Sequence, residues 1–122
     1  MNSRPSVLVC DDEPNLRELI RVSLGPGYDV YEAADGEEAL AVARQVRPDL
    51  VILDLMMPKM NGFDVLAELR AEPSLERTRI LVVTAQPTSE EEAREKGADG
   101  VIVKPFAPEE LAELAATLVT AT

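Results

Sequence analysis

Val7-Leu8-Val9-Cys10-Asp11-Asp12 and Leu50-Val51-Ile52-Leu53-Asp54 decide the fold of this chain. Each is a short, unbroken apolar run that stops at aspartate. A run of that length without polar alternation is a strand covered on both faces, the mark of a parallel sheet between helices. In such a sheet ligands bind beyond the carboxyl ends of the strands, where the strand order reverses. Carboxylates gathered there repel: at about 4 Å and an effective dielectric of ~20, each pair costs roughly 4 kcal/mol. A bound cation or a raised proton affinity relieves that repulsion. Asp11, Asp12 and Asp54 therefore read first as a metal site.

The rest of the chain alternates in the same way. Pro14 suits a first helical position. Leu16, Leu19, Ile20 and Leu24 then fall on one helical face, which Gly25-Pro26-Gly27 terminates. Residues 28–33 alternate apolar and polar, as an edge strand does. Asp35 and Glu38 form a capping pair for a helix running to Val46, with Ala39, Leu40 and Ala43 inward. After residues 50–53, the loop at 57–62 leads to a helix with Phe63, Leu66 and Leu69 inward, ended by Pro73. Residues 80–83 and 101–103 read as two further buried strands. Pro108 opens a last helix with Leu111, Leu114, Ala115 and Leu118 on one side. Ser89 and Glu92 suggest another capping box, with Gly97 as the stop. Within residues 90–96 only Ala93 is apolar, so that helix has little to bury and is marginal.

Five strands alternating with five helices give an α/β fold, a five-stranded parallel sheet with helices on both faces. Of the common doubly wound orders, the flavodoxin-like 2-1-3-4-5 fits. In it strands one and three are neighbours, which brings Asp11, Asp12 and Asp54 together.

Composition narrows the function. The 122 residues suit one domain, 1–122, with no effector domain expected in this chain, and 46% apolar residues make it globular. A net charge of −11 opposes nucleic acid and anionic membrane surfaces. No apolar run approaches the ~20 residues of a membrane span, and residues 1–5 hold no signal-peptide core. Cys10 lies inside a strand run and stands alone, so it is a small buried hydrophobe in a cytoplasmic protein. With no histidine, zinc and copper are excluded, and the acidic set suits Mg²⁺. No glycine-rich phosphate loop follows any strand.

Two more residues fall on the same edge. Lys104 follows the last strand; alone it is a solvated charge, but beside three carboxylates it becomes an ion-pair partner. One lysine leaves the cluster at −2, which a divalent ion cancels. Pro105 makes a cis bond available after Lys104. Thr84, by itself a turn or cap residue, offers a hydroxyl. A carboxylate, a metal, a hydroxyl and an ammonium are the parts needed to accept a phosphoryl group.

Cys10-Asp11-Asp12-Glu13, Asp54-Leu55-Met56-Met57-Pro58-Lys59-Met60-Asn61-Gly62, Thr84-Ala85 and Lys104-Pro105-Phe106 resemble the receiver domain of two-component response regulators. The motifs come in family order over essentially the whole chain. The resemblance implies that Asp54 is the phosphoacceptor, taking phosphate from a sensor histidine kinase or phosphotransfer protein. It implies that Asp11, Asp12, Asp54 and the Met56 backbone carbonyl hold Mg²⁺, while Thr84 and Lys104 take phosphoryl oxygens. Such a domain catalyses its own phosphorylation and dephosphorylation without being an enzyme for external substrates. Its further partners would be a downstream effector domain or protein and, on phosphorylation, a second copy of the chain, with no direct contact to nucleic acid or membrane.

Glu13, Gln86, Val101 and Pro105 are implied modulators. Met56 and Gln86 occupy the positions that set phosphoryl lifetime. Val101 stands where the family usually has an aromatic switch residue, and the interval from Thr84 to Lys104 is shorter than the family pattern. Two alternatives stand beside this reading. One is a receiver-like binding module that is never phosphorylated. The other is a Mg²⁺-dependent phosphatase, which would want an acid/base aspartate where Met56 stands.

Overall fold

Strand-like runs and amphipathic segments succeed one another without interruption. In the computed structural model, which describes residues 4–120, they form β1 (Ser6–Cys10), α1 (Pro14–Leu24), β2 (Asp29–Ala33), α2 (Gly36–Val46) and β3 (Leu50–Asp54). There follow α3 (Gly62–Ala71), β4 (Arg79–Thr84), α4 (Glu90–Glu95), β5 (Gly100–Val103) and α5 (Pro108–Thr120). Short 3-10 turns at Pro73–Leu75 and Pro87–Ser89 precede β4 and α4. Every strand pair is parallel and the order is β2-β1-β3-β4-β5. The expected topology is the observed one.

Successive strand side chains point to opposite faces, so each central strand feeds two cores. Leu8, Cys10, Val51, Leu53, Ile80 and Val82 pack with Ala39, Leu40, Val65, Leu66, Leu69 and Ala93, from α2, α3 and α4. Val7, Val9, Leu50, Ile52, Leu81, Val83 and Ile102 pack with Ile20, Leu24, Leu111 and Ala115, from α1 and α5. Burial on both sides is why β1, β3 and β4 read as unbroken apolar runs.

Several local expectations are corrected. In α1 the buried line is Ile20 and Leu24, whereas Leu19 is 42% exposed. Leu16, Ile20 and Leu24 follow one i, i+4 row, and Leu19 sits on its flank. In α3 the inward set is Gly62, Val65, Leu66 and Leu69. Phe63 is only partly buried, because it lies off that i, i+3, i+4, i+7 face. β5 is an edge strand and alternates buried with half-buried residues, instead of being covered throughout. Asp35 does cap α2, accepting from Glu38 N–H at 2.9 Å. Ser89 makes no side-chain cap bond, so the second capping box does not form, and α4 is six residues long.

Candidate functional site

β1 and β3 pair in register from Val7↔Leu50 to Cys10↔Leu53, so both strands end at the same level. Asp54 is the last residue of β3 and Asp11 the first after β1. Both are buried, at 3% and 1% exposure, while Asp12 faces solvent. One carboxylate oxygen from each of Asp11, Asp12 and Asp54 lies within 4.8 Å of the others. The register of β1 and β3 brings the two strand ends side by side, which puts these carboxylates within reach of one another.

Main-chain donors aim the two buried carboxylates. Asp54 Oδ1 accepts from Met56 N–H at 2.9 Å, and Asp11 Oδ1 accepts from Glu13 N–H at 2.8 Å. Lys104 Nζ donates to Asp54 Oδ2 at 3.3 Å and stands 3.8 Å from Asp11 Oδ2. Asp11 Oδ2 is buried and has no hydrogen-bond partner among the described residues. Burial raises the Asp11 carboxyl from 3.8 to about 6; the Asp54 charge adds to the rise, while the Glu13 N–H and Lys104 oppose it. A buried oxygen with no donor, in an all-oxygen set containing no histidine, fits a hard divalent cation.

The loop after Asp54 is tightly packed. A Cβ on Gly62 would fall 2.4 Å from Leu55 Cα, so only glycine lets the start of α3 close against the backbone beside Asp54. Asn61 caps α3 by accepting from Phe63 N–H at 2.8 Å. Met56 is 64% exposed and presents its side chain to solvent.

Thr84 lies at the end of β4, one residue past the Asp54↔Val83 pairing, and is buried. Its Oγ1 accepts from Gln86 N–H at 3.0 Å and lies 3.5 Å from the Gln86 carbonyl. The hydroxyl is thus engaged by the turn that follows it, not by Asp54. Lys104 N–H donates to the Thr84 carbonyl at 2.8 Å, and the Lys104–Pro105 bond is cis. Val101 sits opposite Val82 on the edge strand, half-buried against the α2–α3–α4 core.

Pattern reading missed Arg17. Its Nη1 donates to the Asp11 carbonyl at 2.6 Å, and its Nε to Glu32 Oε1 at 2.7 Å. Glu32 also pairs with Arg21, and the hydrogen bonds from Arg21 and Arg17 hold its carboxyl below the usual range. A polar residue on an edge strand and an arginine on a helix carry no local sign of such a pairing; it depends on the β1–β2 register.

The family model of the response regulator receiver domain matches residues 7–116. This chain belongs to that family. Receiver domains are signalling phosphoacceptors that bind Mg²⁺ at an acidic pocket. Among named relatives, a transcriptional regulator of Porphyridium aerugineum, ycf27, is 45% identical over 111 residues, covering 88% of this chain and 45% of that protein. The DNA-binding response regulator MtrA of Mycolicibacterium smegmatis is 43% identical over 111 residues, covering 88% and 47%. The receiver therefore spans less than half the length of these curated relatives. Among solved structures, the chemotaxis response regulator CheY4 of Vibrio cholerae superposes with a TM-score of 0.89 at 37% identity, covering 95% of this chain and 99% of that one. A response regulator from Chloroflexus aurantiacus gives 0.92 at 31% identity, covering 98% and 100%.

Proposed function

We propose that Asp54 accepts a phosphoryl group from the phosphohistidine of a sensor histidine kinase or phosphotransfer protein, with Mg²⁺ held by Asp11, Asp12, Asp54 and the Met56 carbonyl. An Asp54 carboxylate oxygen forms the new O–P bond as the donor's N–P bond breaks, and the imidazole leaves with a proton taken from solvent. Mg²⁺, when bound, neutralises charge on the phosphoryl oxygens and on the carboxylates that face them. Lys104, already on Asp54, balances a further oxygen. Thr84 reaches the phosphoryl group once its hydroxyl leaves Gln86, which links phosphorylation to the turn before α4. Hydrolysis of the acyl phosphate by the domain itself resets the switch.

The observation that carries this reading is the meeting of three carboxylates from the ends of β1 and β3 with the ammonium that follows β5. Met56, apolar and two residues after Asp54, supplies no acid or base for turning over external monoesters, which disfavours a phosphatase. In this reading residues 1–122 act as one receiver in the cytoplasm. The described helices include none long and apolar enough to cross a membrane. Output passes to an effector domain or protein, with a phosphorylation-dependent homodimer as one route. At a net charge of −11, the receiver itself is a poor ligand for nucleic acid.

Incubation with a small acyl phosphate and Mg²⁺ should add one phosphoryl mass, mapped to Asp54. The label should vanish in Asp54→Asn and without Mg²⁺. Labelling that survives Asp54→Asn overturns the assignment.

A further inference from the structure

The turn bearing Asp11 and Asp12 must keep its shape if both carboxylates are to face Asp54, and Asp12 stands in solvent. Three hydrogen bonds hold the Asp11 main chain and side chain. Its N–H donates to the Ala33 carbonyl at 3.1 Å, its Oδ1 accepts from Glu13 N–H, and its carbonyl accepts from Arg17 Nη1. Only the last of these hydrogen bonds comes from a side chain outside the turn; Lys104 adds an ion pair to Asp11 Oδ2 at 3.8 Å. Arg17 is the middle link of a chain of contacts running from Glu32 on the edge strand, through the guanidinium, to the carbonyl between Asp11 and Asp12. Its side chain is 16% exposed, and Glu32 is gripped by Arg21 as well.

We infer that Arg17, anchored by Glu32, is a positioning residue for the cation: it fixes the peptide joining Asp11 to Asp12 so that both carboxylates reach the metal held with Asp54. The inference rests on the Mg²⁺ reading above. Arginine suits the task because its planar fork bonds two partners at once, here a carboxylate and a carbonyl, which an ammonium on a flexible stem does not reproduce. Outer partners that orient metal ligands commonly change affinity by about tenfold or more when removed.

Electrostatics and positioning make opposite forecasts. Arg17 places a positive charge beside a cation site, so deleting that charge should tighten Mg²⁺ binding if charge were its only effect. If Arg17 positions the turn, deletion weakens binding. Titration calorimetry of Mg²⁺ into the intact chain separates the two. Arg17→Gln should weaken binding about tenfold. Arg17→Lys, which keeps the charge but loses the fork, should weaken it in the same direction. Glu32→Gln, which leaves Arg17 in place but unanchored, should reduce affinity less than Arg17→Gln. Adding Glu32→Gln to Arg17→Gln should bring little further loss.

Denaturant unfolding without Mg²⁺ checks that each variant is folded, and amide exchange at Asp12 and Glu13 reports the turn directly. Faster exchange confined to that turn is expected for Arg17→Lys. Unchanged or tighter Mg²⁺ binding in both Arg17 variants overturns the positioning role. Absence of saturable Mg²⁺ binding by the unsubstituted chain instead overturns the metal reading beneath it.

Discussion

α2 and α4 pack on the same side of the sheet and are held very differently. α2 has eleven residues, a side-chain cap from Asp35, and Gly36, Ala39, Leu40 and Ala43 buried. Glu38 Oε1 accepts from Ala34 N–H at 2.7 Å, and Lys59 reaches Asp35 at 3.3 Å, tying the start of α2 to the loop after Asp54. α4 has six residues, no side-chain cap, and only Ala93 buried. Its surface pairs, Arg94–Glu90 and Lys96–Glu92, are exposed and contribute little. What secures this region lies just beyond the helix: Arg70 donates to the Gly97 and Thr78 carbonyls, at 2.7 and 2.8 Å, and pairs with Asp99. The half of the molecule that carries the acidic cluster is built to stay put. The segment between Thr84 and β5 is fixed at its far end and lightly held along α4, as locally less stable segments are.

Core truncation tests that contrast most severely. Leu66→Ala, in the core shared by α2 and α3, should cost about 2–5 kcal/mol in denaturant unfolding. Ala93→Gly, the corresponding lesion at α4's single buried position, should cost about 1 kcal/mol. Equal losses would mean that α4 is as firmly docked as its neighbours.

Mg²⁺ should sharpen the asymmetry. At about a hundredfold excess over Kd, binding to the native state alone stabilises by about 2.7 kcal/mol. Amide exchange should slow in the turn after β1 and at the end of β3, leaving α4 unprotected. Asp11→Asn should raise the melting temperature of the metal-free chain, since it removes a buried negative charge facing Asp54, and should abolish the gain from Mg²⁺. A melting temperature that rises equally with Mg²⁺ in Asp11→Asn would place the ion elsewhere.

The smallest contrast is between the two helix starts. Asp35→Ala removes an observed cap bond and should cost about 1 kcal/mol. Ser89→Ala removes none and should stay within about 0.5 kcal/mol of the parent, as surface changes do. A comparable loss at Ser89 would restore the capping box that the sequence suggests.

Those helix starts also show where pattern reading ends. Ser89 and Asp35 look alike in sequence, each followed three residues later by glutamate, yet only one caps. Asp35 enters its helix from extended backbone, whereas Ser89 already sits in a helical turn that leaves its hydroxyl misplaced. Leu19 and Phe63 show the same limit, since a helical stripe gives the period but not which edge of it meets the sheet.

Sequence alone determined the two-sided burial of the central strands and the carboxylates at the β1 and β3 ends, because apolar periodicity and strand termini are local properties of the chain. The count of alternating strands and helices then selected the sheet order from the common doubly wound ones. Only the tertiary structure decided that Asp11 Oδ2 lies buried with no donor among the described residues, and that Arg17 bridges Glu32 to the acidic turn. Those facts depend on distances between side chains from different elements, which are set when the strands come into register and the helices settle on the sheet.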